Sequence, residues 1–121
     1  MLENFYTLNQ IESQGEGKYL CRITLNAAHP IFAGHFPDNP VTPGVCMLQI
    51  IKNITEEITQ KKLFLSKTSQ VKFMTLINPN TAGELTLQLE LAEHPDTIVV
   101  KNTTSFGDTL ALKLTNTYKL C

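Results

Sequence analysis

The spacing of the apolar residues changes period twice along this chain, and that change restricts the fold more than any other feature. From Lys18 to Ala28 they alternate, with Tyr19, Cys21, Ile23, Leu25 and Ala27 on one face and Arg22, Thr24 and Asn26 on the other, the period of a half-buried strand. From Pro43 to about Gln60 the spacing is helical: Met47, Ile50, Ile51, Ile54 and Ile58 recur at three and four residues, and Val45 and Leu48 widen the stripe around the first turns. Alternation then returns, which predicts strands over Lys67 to Asn78, Glu84 to Glu93, Thr97 to Phe106 and Thr109 to Leu120. Leu85, Leu87, Leu89 and Leu91 share one face of the second of these, and Leu110, Leu112 and Leu114 one face of the last.

The helix should begin sharply. Thr42 suits the N-cap and Pro43 the first helical position, where a missing amide hydrogen costs nothing. At about 1.5 Å per residue the segment makes a rod of about 27 Å, the width of a sheet of several strands. The breaks Asn78-Pro79-Asn80, His94-Pro95-Asp96 and Gly107-Asp108 are turn chemistry, so the last strands should be consecutive antiparallel neighbours. Two early strands, one long helix and an antiparallel meander define an α+β chain in which a sheet wraps one central helix.

With 121 residues, one domain over 1–121 is expected, large enough to bury roughly two-thirds of the surface its unfolded chain exposes. A composition of 42% hydrophobic and 17% charged residues has no block of like charge and no low-complexity run, so disorder is not expected. The formal charge of -1 gives no general attraction to nucleic acid. The pair Lys61-Lys62 falls at the expected helix end, where cations complement the dipole. The N-terminal residues lack the basic and apolar regions of a signal peptide, and no apolar run approaches the roughly 20 residues of a membrane helix. The expectation is a cytoplasmic protein with no membrane association.

Function concentrates in one run: His35-Phe36-Pro37-Asp38-Asn39-Pro40-Val41-Thr42-Pro43-Gly44-Val45, with Gln49 four residues further on. Three prolines stiffen a loop that holds a histidine, and a glycine amide opens the helix. The run resembles the active-site signature of the 3-hydroxyacyl-[acyl-carrier-protein] dehydratases, His-Phe-Pro-x-x-Pro-x-x-Pro-Gly-Val/Cys-x-x-x-Glu/Asp. Every named position matches except the last, where Gln49 replaces the carboxylate. Asn26 to Gly34 also resembles that family's approach to the histidine, and the likeness of layout continues through Val71-Lys72-Phe73 to the C-terminus.

The resemblance implies the hot-dog fold and the elimination of water from a 3-hydroxyacyl thioester carried by acyl-carrier protein or coenzyme A. That chemistry needs a base for the C2 proton, protonation of the departing C3 hydroxyl and stabilisation of the enolate-like thioester oxygen. By the resemblance His35 is the base, and a neutral imidazole suits proton transfer near pH 7. Gly44, at the positive end of the helix dipole and without a side chain, is the expected oxyanion donor; Pro43-Gly44 as a mere bend into the helix is the plainer alternative. Phe36, Pro37, Pro43 and Val45 would line the acyl passage, or pack on the core.

Gln49 has nearly the shape of glutamate and can hold a water or hydroxyl, but it cannot donate and recover a proton. Asp38 is three residues from His35, with its side chain expected toward solvent, and Glu56 and Glu57 lie two turns too far along the helix. His29 and His94 have no matched role. In the family the histidine and the acid come from opposite subunits, so the resemblance implies a homodimer with sites at the interface, or a heterodimer with a related hot-dog subunit.

Cys21, Cys46 and Cys121 are odd in number and contain no CxxC pair, which argues against a disulfide framework or structural zinc. Cys46 lies near the expected site but has no histidine tied to it by the motif. No cofactor and no metal are expected. Two alternatives stay open beside the dehydratase: a non-catalytic acyl-thioester binder or partner subunit of a related dehydratase, and an acyl thioesterase.

Overall fold

A computed structural model describes residues 3–33 and 41–121. Six strands, β1 (Tyr6–Gly15), β2 (Lys18–Leu25), β3 (Leu63–Phe73), β4 (Glu84–Glu93), β5 (Thr97–Phe106) and β6 (Thr109–Leu120), form one sheet in the order β1-β2-β4-β5-β6-β3. Every pairing is antiparallel. A short helix α1 (Pro30–Ala33) and the main helix α2 (Gly44–Thr59) lie in the connection between β2 and β3. That connection carries the chain four strand positions across the sheet, about 19 Å, and a 16-residue helix of about 24 Å covers the distance.

The core lies between α2 and one face of the sheet. Met47, Ile50, Ile51 and Ile54 of the helix join Cys21, Ile23, Leu85, Leu87, Leu89, Ile98, Val100, Leu112 and Leu114 in one buried cluster. Phe5 and Phe32 stack at 5.3 Å within the same cluster. The buried polar residues on the inner face are paired among themselves. Asn116 donates from Nδ2 to Tyr118 Oη at 2.9 Å and accepts from Thr68 Oγ1 at 2.8 Å, while Thr104 Oγ1 donates to Asn102 Oδ1 at 2.9 Å. Such pairing removes the cost of burying them.

β4, β5 and β6 have the predicted bounds, and β2 stops at Leu25. Asn26 turns the chain there: its Nδ2 donates to the Asn4 carbonyl at 2.7 Å and its Oδ1 accepts from the Ala28 amide at 3.0 Å. β3 begins four residues before the predicted Lys67 and ends at Phe73. Its register breaks between Leu65 and Lys67 and again between Ser69 and Lys72, with Gln70 at φ 52°, so the alternation that marks a strand is interrupted twice. β1, the other edge, is polar and mostly exposed, and follows from its hairpin rather than from any pattern. Glu16 (φ 56°) and Gly17 (φ 77°) make a two-residue turn with both φ positive, the geometry that joins twisted antiparallel strands.

Leu110 does not share the core face with Leu112 and Leu114. The β5–β6 register jumps between Thr104↔Leu112 and Ser105↔Leu110, and the extra residue, Ala111, is buried in place of Leu110, which is 36% exposed.

Candidate active site

The start of α2 departs from the predicted cap. Pro43 takes the N-cap position with extended angles (φ -61°, ψ 144°), no side chain caps the helix, and the Pro43 carbonyl accepts from the Cys46 and Met47 amides. Thr42 therefore sits outside the helix, where its amide donates to the Ile77 carbonyl at 2.8 Å. Its hydroxyl is buried without a partner.

Gly44 is thus the first helical residue, and its N–H belongs to the first turn, whose amides have no partner four residues back in the helix. Its φ does not require glycine, and the neighbour a side chain would meet is the tip of an exposed ring. A Cβ built on Gly44 would come within 2.9 Å of Phe73 Cζ, so the Phe73 ring from the end of β3 lies against the helix start. Phe73 is 57% exposed, and so are its chain neighbours Met74 (44%) and Leu76 (68%) and, next to Gly44, Val45 (73%). Large apolar side chains are thus left in water at the end of an edge strand and just beyond it.

Gln49 is half-buried. Its Nε2 donates to Asn53 Oδ1 at 2.8 Å, and Asn53 Nδ2 donates to Tyr6 Oη at 3.3 Å. With one donor committed, the Gln49 carbonyl oxygen remains to accept. The relay can also run backwards, because a phenol both donates and accepts; a glutamate at 49 would be met by the Asn53 amide, with Tyr6 donating in turn. Neither Asn53 nor Tyr6 is in the signature run. Asn53 was legible as the residue four beyond Gln49 on one helix face, whereas Tyr6 comes from β1 and no local signal points to it.

His35, Phe36 and Pro37, with Asp38 and Pro40, lie outside the described residues. Gly44 and Gln49 are five residues apart on α2, about 7.5 Å along the axis and about 140° around it, so one helix presents them in different directions.

Cys46, His29, Glu56 and Lys61 serve the scaffold. Burial raises the Cys46 thiol, and Cys46 is 3% exposed, the opposite of an activated nucleophile. His29 Nδ1 accepts from the Ile31 amide at 3.1 Å, which leaves Nε2–H to donate to the Glu3 carbonyl at 3.1 Å. Glu56 accepts from the Leu63 amide at 2.8 Å and pairs with Lys52 at 3.6 Å. Lys61 lies beyond the helix end and pairs with Glu93 at 3.5 Å, an exposed contact of little energetic consequence. Among the described residues no group of three or more His, Cys, Asp or Glu side chains could hold a metal, and no helix is long and apolar enough to cross a membrane.

A six-stranded antiparallel sheet around one long helix is the hot-dog architecture. Residues 10–108 match the ApeI-like family model, described as ApeI dehydratase, and the chain belongs to that family. It is 29% identical over 96 residues to the 3-hydroxyacyl-[acyl-carrier-protein] dehydratase FabZ of Histophilus somni (strain 2336), covering 72% of this chain and 62% of that one. Among solved structures it is similar to the dehydratase heterocomplex ApeI:P from Xenorhabdus doucetiae, with TM-score 0.71, 22% identity and 95% and 96% of the two chains covered. It is also similar to a hypothetical thioesterase protein with coenzyme A from Streptococcus pneumoniae TIGR4, with TM-score 0.70, 12% identity and 100% and 91% covered. At these identities the two structures establish the fold.

Proposed function

We propose that this chain, acting as one hot-dog domain, dehydrates 3-hydroxyacyl thioesters carried by acyl-carrier protein or coenzyme A. His35 takes the C2 proton and returns it to the departing C3 hydroxyl, so that a C2–C3 double bond and water are formed. The Gly44 amide stabilises the negative charge on the thioester oxygen during that transfer. Gln49 accepts a hydrogen bond from the hydroxyl or from a relaying water through the oxygen that its bond to Asn53 leaves free.

The observation that carries this reading is the helix start. Gly44 offers a first-turn amide, the exposed Phe73 ring lies against it, and its neighbour Val45 is open to solvent. Since Gly44 and Gln49 diverge around α2, a complete site needs a second protomer. We place His35 and Gly44 of one subunit opposite Gln49 of its partner, with the exposed apolar side chains buried between them.

A second reading has specific support: the chain is a subunit that pairs with a related dehydratase supplying the carboxylate. Gln49 stands where the signature has an acid, and the ApeI:P neighbour is a dehydratase heterocomplex. Formation of enoyl product from 3-hydroxyacyl thioesters of several chain lengths separates the readings. On the first, the wild type alone eliminates water, His35→Ala loses about 10² to 10⁴-fold of that rate, and Gln49→Glu changes it modestly. No elimination by the wild type, with rescue by Gln49→Glu, selects the subunit reading; release of free thiol without enoyl product would mark a thioesterase and overturn both.

A further inference from the structure

A trough of about 750 Å³ lies on the outer face of the sheet, away from α2. Residues of β4, β5 and β6 that line it, including Glu90, Lys101 and Lys113, alternate with the buried Leu89, Val100, Leu112 and Leu114. Its charge is one-sided: four lysines, Lys18, Lys72, Lys101 and Lys113, against one acid, Glu90. That excess of three positive charges occurs in a chain whose formal charge is -1.

The register shows how the cations are grouped. Glu90 stands between Lys18 and Lys101, opposite each on its neighbouring strand, and lies within ion-pair distance of neither. Lys72 stands directly opposite Lys113 on the paired strand, with side chains about 5 Å apart at Cβ. Lys113 in turn is opposite Thr103, and Lys101 opposite Thr115, which sets Lys101 diagonally beside Lys113 at about 7 Å. Like charges directly opposite each other destabilise a sheet, and among the described residues neither Lys72 nor Lys113 has an acidic partner within ion-pair distance. An anion seated between them removes that repulsion.

We infer that this outer-face trough is a binding site for a small phosphate-bearing anion of the diphosphate class, held by Lys72, Lys113 and Lys101 with the Thr103 hydroxyl as an additional donor. Two lysines directly opposed and a third diagonal to them match the two to three charges of a diphosphate better than a single carboxylate, and the volume falls in the range of small-molecule clefts, about 300 to 1,000 Å³. The site is on the opposite face of the sheet from Gly44 and Gln49, so the inference stands whatever reaction the chain performs.

Titration calorimetry with inorganic pyrophosphate and, separately, ADP tests it. Saturable one-to-one binding is expected, weakened roughly tenfold or more by Lys72→Gln/Lys113→Gln, while Lys61→Gln/Lys62→Gln, remote from the trough, binds as the wild type does. Equal affinity for the two probes would identify the diphosphate alone as the recognised group, and tighter ADP binding would add a nucleoside. Thermal melting checks the same variants. Pyrophosphate should raise the wild-type midpoint and not that of Lys72→Gln/Lys113→Gln, which at low salt should itself melt no lower than the wild type because it relieves the opposed charges. No saturable binding of either probe, or equal weakening by both lysine double variants, overturns the site.

Discussion

Two residues beside the helix start act through what they lack. Thr42 has a buried hydroxyl with no partner, and such a group bears its desolvation cost uncompensated. Thr42→Val keeps the shape and removes the hydroxyl, so it should stabilise the fold by about 1 kcal/mol, read as a higher urea midpoint at unchanged slope. A loss of that size instead would show that the hydroxyl has a partner in solution. Gly44 lacks a side chain where the Phe73 ring needs the space. Gly44→Val should therefore push the ring aside and lower thioester turnover sharply, while the exposed ring lets the protein remain folded. Phe73→Ala in the Gly44→Val background tests the cause: it should not recover turnover, because the valine still obstructs the amide. Turnover unchanged in folded Gly44→Val would remove Gly44 from the site.

At the scale of single elements, legibility in the sequence followed burial on one face. β4, β5 and β6 show alternating apolar residues and have the predicted bounds, and α2 lost only its two end residues to caps, Pro43 extended and Gln60 left-handed at φ 56°. β1 and β3 are the sheet edges. One carries almost no buried side chains and the other is broken by two irregularities, so neither leaves a clean period to read. The candidate site divided similarly: the signature run names Gly44 and Gln49, whereas Phe73 lies against Gly44 and Tyr6 meets Asn53, the partner of Gln49, from strands distant in sequence. Two inner strands also predict a pH response. Burial raises Cys21 on β2 to about 11, and it raises Tyr118 on β6 to about 12 against the hydrogen bond from Asn116. Both ionise less readily folded than unfolded, so their stabilisation is complete below pH 9 and is lost as pH rises from 9 to 12. Each represents about 3 kcal/mol at that scale, and together they approach the whole stability of a small domain. Urea midpoints should be level from pH 7 to 9 and fall steeply above it, and Cys21→Ala should flatten the part between 9 and 11. A midpoint that holds to pH 12 would show that neither side chain is sealed from water.

For the whole molecule the proposed function requires a partner for the second half of the site. The edge strand β3 ends in Phe73, the segment after it carries Met74 and Leu76 exposed, and Val45 opens on the same region. Burying large apolar side chains yields about 1.5 to 3 kcal/mol each, and a two-fold contact buries each of them twice. Leu76→Glu should accordingly convert a dimer to monomer in light scattering while each monomer keeps its fold, and turnover should fall with the dimer. Sharing of the site has its own signature. If His35 of one protomer works with Gln49 of the other, His35→Ala and Gln49→Ala proteins are each impaired alone, but mixed dimers of the two contain one site with both wild-type residues. Co-refolding equal amounts should restore about a quarter of wild-type activity, since half the dimers are mixed and each mixed dimer has one intact site of two. No recovery in demonstrably mixed dimers would place His35 and Gln49 in the same protomer's site, and full activity of Gln49→Ala alone would remove residue 49 from the reaction altogether.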